Sequence, residues 1–401
     1  MDLLELEVDG SGYSARLLRA SEIGVKSHLV LVGGGHAHAL VLRRWLKQRR
    51  SPLQNPKWRI TLVSESSRTL YSGMMTGYLA GLYQKHEIEI KIQDLCQKAG
   101  VHFRQDRLQG LDPDRRLITT ESGEPLAYDL LSLNLGARTP SLPLARAKTT
   151  LLKPCLNFES FLGRLDSSSQ GLQIAVVGAG PSGVEVACAL AQRLRERGLS
   201  SHRLTLFERE ARVLPSAPEK LSQLFQAVLE RHHVSLRLSC ATTLPSLRSE
   251  LETFDEVIWA LPPGPHPELG QAGLETVSGF LKVSATLQTS RPQIFAVGDV
   301  AMGPDPTPRA GVFAVRAAPV LACNLQSVIE GERPQKEFHP QTRWLSLMID
   351  GFGGAGGSRG AWVLPPSRGG WLLKNFIDRR FLHSLDRVNE GLGRSQNEAS
   401  G

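Results

Sequence analysis

Two glycine clusters and a late Gly-Asp pair are the residues of this chain best suited to chemistry. The clusters are VLVGGGHAH at Val30 to His38 and VVGAGPSGVE at Val176 to Glu185; the pair closes IFAVGD at Ile294 to Asp299. Each cluster follows a short apolar run and precedes a stretch that reads as helix, which is the strand-turn-helix setting of a dinucleotide site. In such a turn the first glycine permits the bend and the second lets the backbone approach a pyrophosphate. The helix N-terminus adds free N–H groups and a favourable dipole. Gly178, Gly180 and Gly183 complete the spacing, whereas Gly33, Gly34, Gly35 and His36 are followed by His38 at the third glycine position. Two such sites and a downstream Gly-Asp describe a flavoprotein fed by a nicotinamide, with FAD in the first site and NAD(P)H in the second.

The elements that must hold these turns read as α/β, with two Rossmann-like dinucleotide-binding domains and a C-terminal segment. Residues 27–150 and 292–342 are expected to form a discontinuous FAD domain, 151–291 an inserted NAD(P)H domain, and 343–401 the C-terminal segment. Residues 1–26 read as a short hairpin or an extension. In the first domain the strand Trp58 to Val63 ends at Ser64, where an acidic residue usually binds the adenosine ribose. Glu65, one residue late, takes that role or is a surface carboxylate. The run YSGMMTGYLAG from Tyr71 to Gly81, with Ser72 and Gly73 near its start, allows close backbone approach to a flat ligand or packs as a loop on the core. The buried strand within Tyr128 to Pro140 ends in a turn at Gly136. In the insert, the strand Arg203 to Phe207 ends at Glu208, 25 residues after Gly183. A carboxylate there meets the 2′-hydroxyl of NADH and repels a 2′-phosphate, although Arg209 and Arg212 keep NADPH in play. Back in the first domain, Gly298 lets the chain pass the pyrophosphate and Asp299 can accept from ribityl hydroxyls. The stretch Arg309 to Asn324 reads as a helix that begins beside the flavin ring or as an ordinary core helix.

At 401 residues and 41% hydrophobic content, the chain is long enough for two or three compact domains. Apolar stretches such as Val312 to Leu325 are broken by arginine, proline or glycine before the ~20 residues of a membrane span, so no helix is expected to cross a bilayer. The acidic stretch MDLLELEVDGSG lacks a basic n-region and a continuous apolar h-region, so secretion is not expected. A cytoplasmic location follows, or a peripheral one on the inner face of a membrane. The net charge of +8 is spread along the chain, and no motif supports nucleic-acid binding. Five cysteines, Cys96, Cys155, Cys188, Cys240 and Cys323, form no Cys-x-x-Cys pair. That argues against a disulfide scaffold, a zinc site or a local redox dithiol. The run GFGGAGGSRG at Gly351 to Gly360 reads as a flexible or tightly turning connection.

Taken together, GGGHAH, YSGM, GAGPSGVE, FAVGD, RAGVFAVR and KNFIDRRF resemble the pyridine nucleotide-disulfide oxidoreductase superfamily. The likeness is strongest to type II NADH:quinone dehydrogenases, especially a branch found alone or fused to selenophosphate synthetase, and covers roughly Ser27 to Leu385. It implies NAD(P)H oxidation through FAD with electrons passing to a quinone. By resemblance Gly33, Gly35, Gly298 and Asp299 hold FAD, and Gly178, Gly180, Gly183 and Glu208 hold the nicotinamide nucleotide. Glu185 matches a glutamate near the nicotinamide-flavin contact and is the first candidate proton donor, its competing role being helix capping or an internal ion pair. Arg309 and Arg316 are weaker candidates for stabilising charge on flavin or acceptor. Three departures stand out: the displaced ribose acid, His38, and ALPPGPHP where relatives carry an Ala-Thr-Gly turn. At the C-terminus Trp371, Leu372, Leu373, Phe376, Ile377 and Phe381 alternate with Lys374, Arg379 and Arg380, although Arg380 shares a face with Leu373 and Ile377. This mixture suits an anionic bilayer interface, or a helix packed on the protein's own core or on a fused partner. Two other functions compete: a sulfide or selenium-compound oxidoreductase, should Cys155 and Cys323 meet in space, and a non-catalytic flavin-bound module serving selenophosphate synthetase.

Overall fold

Two five-stranded parallel sheets organise the chain, each with a glycine-cluster strand at its centre. This computed structural model describes residues 3–9, 12–18, 26–141, 143–152, 158–168, 171–199, 201–240, 244–305, 307–342 and 345–386. The first sheet runs Ile294–Ala296, Leu130–Leu133, Ser27–Val32, Trp58–Ser64, His102–Gln105. The second repeats the layout with Lys148–Leu151, Glu256–Trp259, Gln173–Val177, Arg203–Phe207 and Ser235–Arg237. Continuous apolar runs such as LVLV and IAVV suit strands covered on both faces, and Leu29 to Leu31 and Ile174 to Val176 are fully buried. Residues 3–9 and 12–18 pair as an antiparallel hairpin.

The unit boundaries differ from the sequence expectation at two places. Lys148–Leu151 already pairs with the second sheet, ahead of residue 151. On the return, Leu269, Leu274 and Leu281 pack with Val30, Leu131 and Ile294 in the first core, ahead of residue 291. Hydrophobic burial, worth about 25 cal/mol per Å², assigns these segments to the side on which their leucines are covered.

The helix Gly311–Ile329 is, among the described residues, the one helix long and apolar enough to cross a membrane, and half of it is buried. It packs along the first-cluster helix His36–Leu46, where Trp45 Nε1 donates to the carbonyl of Ala322 at 3.3 Å. Its buried Asn324 donates to the carbonyls of Thr286 and Lys336.

The C-terminal segment is a three-stranded antiparallel sheet, Ser346–Ile349, Ala355–Arg359 and Trp362–Ser367, followed by the helix Arg368–Asp386. The glycine run expected to be a connection is therefore partly a strand. Gly351 and Gly353 do turn, with φ +80° and +89°. A Cβ on Gly357, however, would lie 1.8 Å from the carbonyl oxygen of Ser346. Close strand packing, not flexibility, accounts for that glycine.

Candidate active site

Both glycine turns are built alike, and neither helix that follows is capped by a side chain. Gly33 and Gly178 adopt φ +101° and +104°, a region that L side chains avoid. The helices His36–Leu46 and Pro181–Glu196 start after Gly35 and Gly180 with no acidic residue in the first turn. With no side-chain cap and no carboxylate there, each helix start keeps the dipole that favours an anion. Around Gly180 there is open space, whereas a Cβ at Gly183 would fall 1.8 Å from the Gly178 carbonyl. His38 solves the matching contact differently. Its fully buried ring joins the Gly33 carbonyl (Nδ1, 2.7 Å) to Ser132 Oγ (Nε2, 2.9 Å). Burial lowers its pKa to about 4, so the ring is neutral, with Nδ1 donating and Nε2 accepting.

All five strands of the first sheet end at one cleft of ≈ 480 Å³. Gly33, Gly34, Gly35 and His36 line it from the fingerprint turn. Ser64 and Glu65 enter from the second strand, Gly136 from the third turn, Asp299 from the last, and Ser72 and Gly311 from helix starts. This is the carboxyl end of a parallel sheet, where α/β folds bind ligands. Ser64 is buried, and a Cβ on Gly34 would lie 2.7 Å from its Oγ. Of the pair, Glu65 supplies the carboxylate, with Arg107 as a partner at 3.4 Å. Gly298 takes φ +78° just before Asp299, with its Cβ position 3.2 Å from Asn134 Oδ1.

In the second unit, Glu208 lies at its strand end and accepts from the N–H of Ala179 at 2.7 Å and of Glu210 at 3.1 Å. Arg209 pairs with Glu210, and Arg212 donates to the carbonyls of Pro215 and Ala217. Both arginines near the expected ribose pocket are thus engaged.

Gly73, Arg309, Arg316 and Glu185 do not line the cleft. The segment after Tyr71 is a helix, Ser72–Leu79, and Gly73 makes room there for the Tyr71 ring, which would stand 2.7 Å from a Cβ. Arg309 donates to the Ala301 carbonyl and stacks 3.7 Å above the Phe280 ring. Arg316 is exposed, because the buried stripe of its helix runs through Phe313, Ala317 and Leu321.

Glu185 meets a second cluster across the helix Ser72–Leu79. Its Oε1 accepts from the Ile349 N–H at 2.8 Å. Burial raises its pKa, opposed by Lys374, the Ile349 hydrogen bond and one from Thr76. Lys374 donates to the Gly73 carbonyl at 2.6 Å and to Asp378 Oδ2 at 2.7 Å, and Tyr71 donates to Asp378 Oδ1 at 3.0 Å. The Tyr71 ring stacks on Phe381 at 4.7 Å and meets His36 at 5.4 Å. One short helix thus offers Ser72 to the cleft, Thr76 to Glu185 and the Gly73 carbonyl to Lys374.

Sequence reasoning passed over Asn134, His266 and Asp378. Asn134 had a signal, a lone amide at the end of the apolar strand LLSL. Asp378 stands four residues after Lys374, the helical pairing distance. His266 had no comparable signal.

A family model described as pyridine nucleotide-disulphide oxidoreductase matches residues 27–317. The chain belongs to that family. Its members are FAD-dependent NAD(P)H oxidoreductases, and FAD and NAD(P)H are the cofactors. The demethylphylloquinone reductase of Synechocystis is 28% identical over 321 residues, 73% of this chain and 78% of the relative. An alternative NAD(P)H-ubiquinone oxidoreductase of Arabidopsis thaliana is 27% identical over 227 residues, 51% of this chain and 43% of the relative. The sulfide:quinone oxidoreductase of Aquifex aeolicus has the same fold, with TM-score 0.69 at 17% identity over 90% of this chain and 92% of that one. The cleft of this oxidoreductase fits a dinucleotide on its own terms. Two buried polar atoms among its lining residues, Asn134 Nδ2 and His266 Nε2, lack a hydrogen-bond partner within the protein, and Gly136 (φ +71°) leaves the space beside it open.

Proposed function

We propose that this oxidoreductase passes electrons from NAD(P)H to a quinone-type acceptor at a membrane surface. When bound, FAD supplies the two-electron carrier between nicotinamide and acceptor. The Gly33 to Gly35 turn, the start of the helix His36–Leu46, Glu65, Gly136 and Asp299 hold FAD. Gly178, Gly180 and Gly183 admit the nicotinamide nucleotide, whose ribose hydroxyls meet Glu208. Because that carboxylate repels a 2′-phosphate while Arg209 and Arg212 are engaged, NADH is the preferred donor. Glu185, driven toward its protonated form by burial, exchanges a proton on the acceptor side, with Thr76 and Lys374 orienting it.

The observation that carries the acceptor class is the inverted C-terminal helix. Lys374 and Asp378 turn inward, while Leu372 and Phe376 are 58% and 60% exposed and Leu373 and Ile377 are exposed beside them. Arg380 is exposed on the same stretch. An apolar face edged by a basic residue suits an anionic bilayer, the phase in which quinones dissolve. The Synechocystis and Arabidopsis relatives, named for quinone acceptors, support the same reading.

Anaerobic stopped-flow absorbance tests it. Mixing the flavoprotein with NADH should bleach the flavin band, NADPH should do so more slowly, and a short-chain quinone should restore it. Bound FAD that neither nucleotide bleaches would refute the proposal and favour a non-catalytic module. Cys155, one half of the pair behind the sulfide alternative, lies outside the described residues. Its possible partner Cys323 sits 3.7 Å from Arg44.

A further inference from the structure

The turn that replaces Ala-Thr-Gly brings the two crossover linkers together at the cleft. Arg138, on the outgoing linker, pairs with Gly264 on the return linker as an antiparallel bridge, its N–H donating to the Gly264 carbonyl at 3.0 Å. Two residues on, His266 is buried to 8% exposure and lines the cleft. Its Nδ1 faces Glu268 Oε1 at 3.2 Å, and the same oxygen accepts from Arg138 Nη2 at 3.0 Å. With a carboxylate accepting at Nδ1, the proton resides there, and Nε2 presents a lone pair that no protein donor satisfies. A buried acceptor left without a donor is costly, so a ligand donor is the natural partner.

We propose that His266 is a cofactor-binding residue supplied by the return linker, its Nε2 accepting a hydrogen bond from a sugar-type hydroxyl of FAD. This rests on the assignment of FAD to the cleft and extends it. The first sheet supplies the anion-binding turn, and the linker leaving the second sheet supplies an acceptor, so bound FAD ties the two linkers to each other. The groups facing the ring are Glu268 on its own turn and Arg138 and the Gly136 carbonyl on the outgoing linker. Burial, first among these influences, keeps the ring below its usual pKa despite Glu268, which preserves the lone pair at neutral pH.

The test is FAD affinity and release, measured by flavin fluorescence on titrating apoprotein and on diluting holoprotein, for the wild type, His266→Leu and His266→Gln. His266→Leu should weaken binding about tenfold, the loss of one buried hydrogen bond, and speed release to match. His266→Gln, which retains an acceptor, should stay within about threefold. Wild-type affinity should fall as pH drops through the imidazole pKa, and the Gln variant should not follow. Unchanged affinity in His266→Leu would overturn the inference while leaving the cofactor assignment intact. Affinity that rises on acidification, as for an imidazolium on the diphosphate, would overturn the hydroxyl assignment. A wild-type chain that takes up no FAD overturns both.

Discussion

Replacing Lys374 by methionine should destabilise the C-terminal helix far more than a typical lysine substitution. The two side chains of the Lys374–Asp378 pair are each only 8% exposed and 2.7 Å apart. At an effective dielectric of about 20 their attraction is about 6 kcal/mol, which is offset by several kcal/mol of desolvation per ion. The intact pair is therefore close to neutral for stability. Removing one partner is not, because Asp378 keeps its desolvation cost and retains only the Tyr71 hydroxyl. The expected loss is about 3–5 kcal/mol. Glu185 also loses the lysine charge that opposes the rise of its pKa. In the double variant Lys374→Met, Asp378→Leu, no buried charge remains at the pair, and the main loss is the Tyr71 hydrogen bond, about 1–2 kcal/mol. Urea unfolding of the four proteins in a double-mutant cycle reads the coupling, and hydrogen exchange across residues 368–386 shows whether this helix loosens first. A Lys374→Met cost below about 1 kcal/mol, or additivity within about 0.5 kcal/mol, would refute the reasoning.

Other outcomes follow from the same geometry. His38 titrates near pH 6.5 unfolded but only at about 4 folded, so its contribution is complete above 6.5 and drains as pH falls toward 4. That loss, on the order of 3 kcal/mol, should flatten in the pH profile of Tm for His38→Gln; an unaltered acid limb would count against it. Glu185 has the opposite sign. Its pKa is raised on folding, so stability is lost as pH rises through the folded value, and Glu185→Gln should gain Tm at pH 7 but not at pH 4. Glu208→Ser should raise the NADPH-to-NADH ratio of kcat/KM about tenfold by removing a repelling charge, and no change would place the ribose elsewhere. Phe376→Glu should reduce flotation with anionic vesicles while turnover with a water-soluble quinone persists; retained flotation would sink the docking face.

What was legible in the sequence was legible for steric reasons. At Gly33, Gly178 and Gly183 the backbone itself forbids a side chain, so the turns, the parallel strands behind them and the cleft they open could be placed from spacing alone. Glycine was ambiguous wherever its reason lay far along the chain. Gly357 faces Ser346, and Gly73 makes room for the ring of Tyr71, contacts that a local reading takes for flexibility or ligand approach. The helix Ser72–Leu79 was hidden for the same cause, since two glycines in eight residues lower its helical propensity.

The charged residues show the stronger limit. Arg309 precedes and Arg316 lies within the helix that starts beside the cleft, yet one is drawn onto Phe280 and the other is exposed. Lys374 was expected among the basic residues of an interface, Asp378 was passed over, and both are buried. The reversal is intelligible once both are counted together. An i,i+4 pair can be buried as a unit if the protein supplies its remaining hydrogen bonds, here from the Gly73 carbonyl and the Tyr71 hydroxyl. Burying that pair rotates Leu372, Leu373, Phe376 and Ile377 outward, since a helix has only one face to give the core. The apolar surface proposed for membrane docking is in this sense a consequence of the buried pair. The two should fail together: a variant in which the helix turns its leucines inward would lose both the Tyr71 hydrogen bond and vesicle binding.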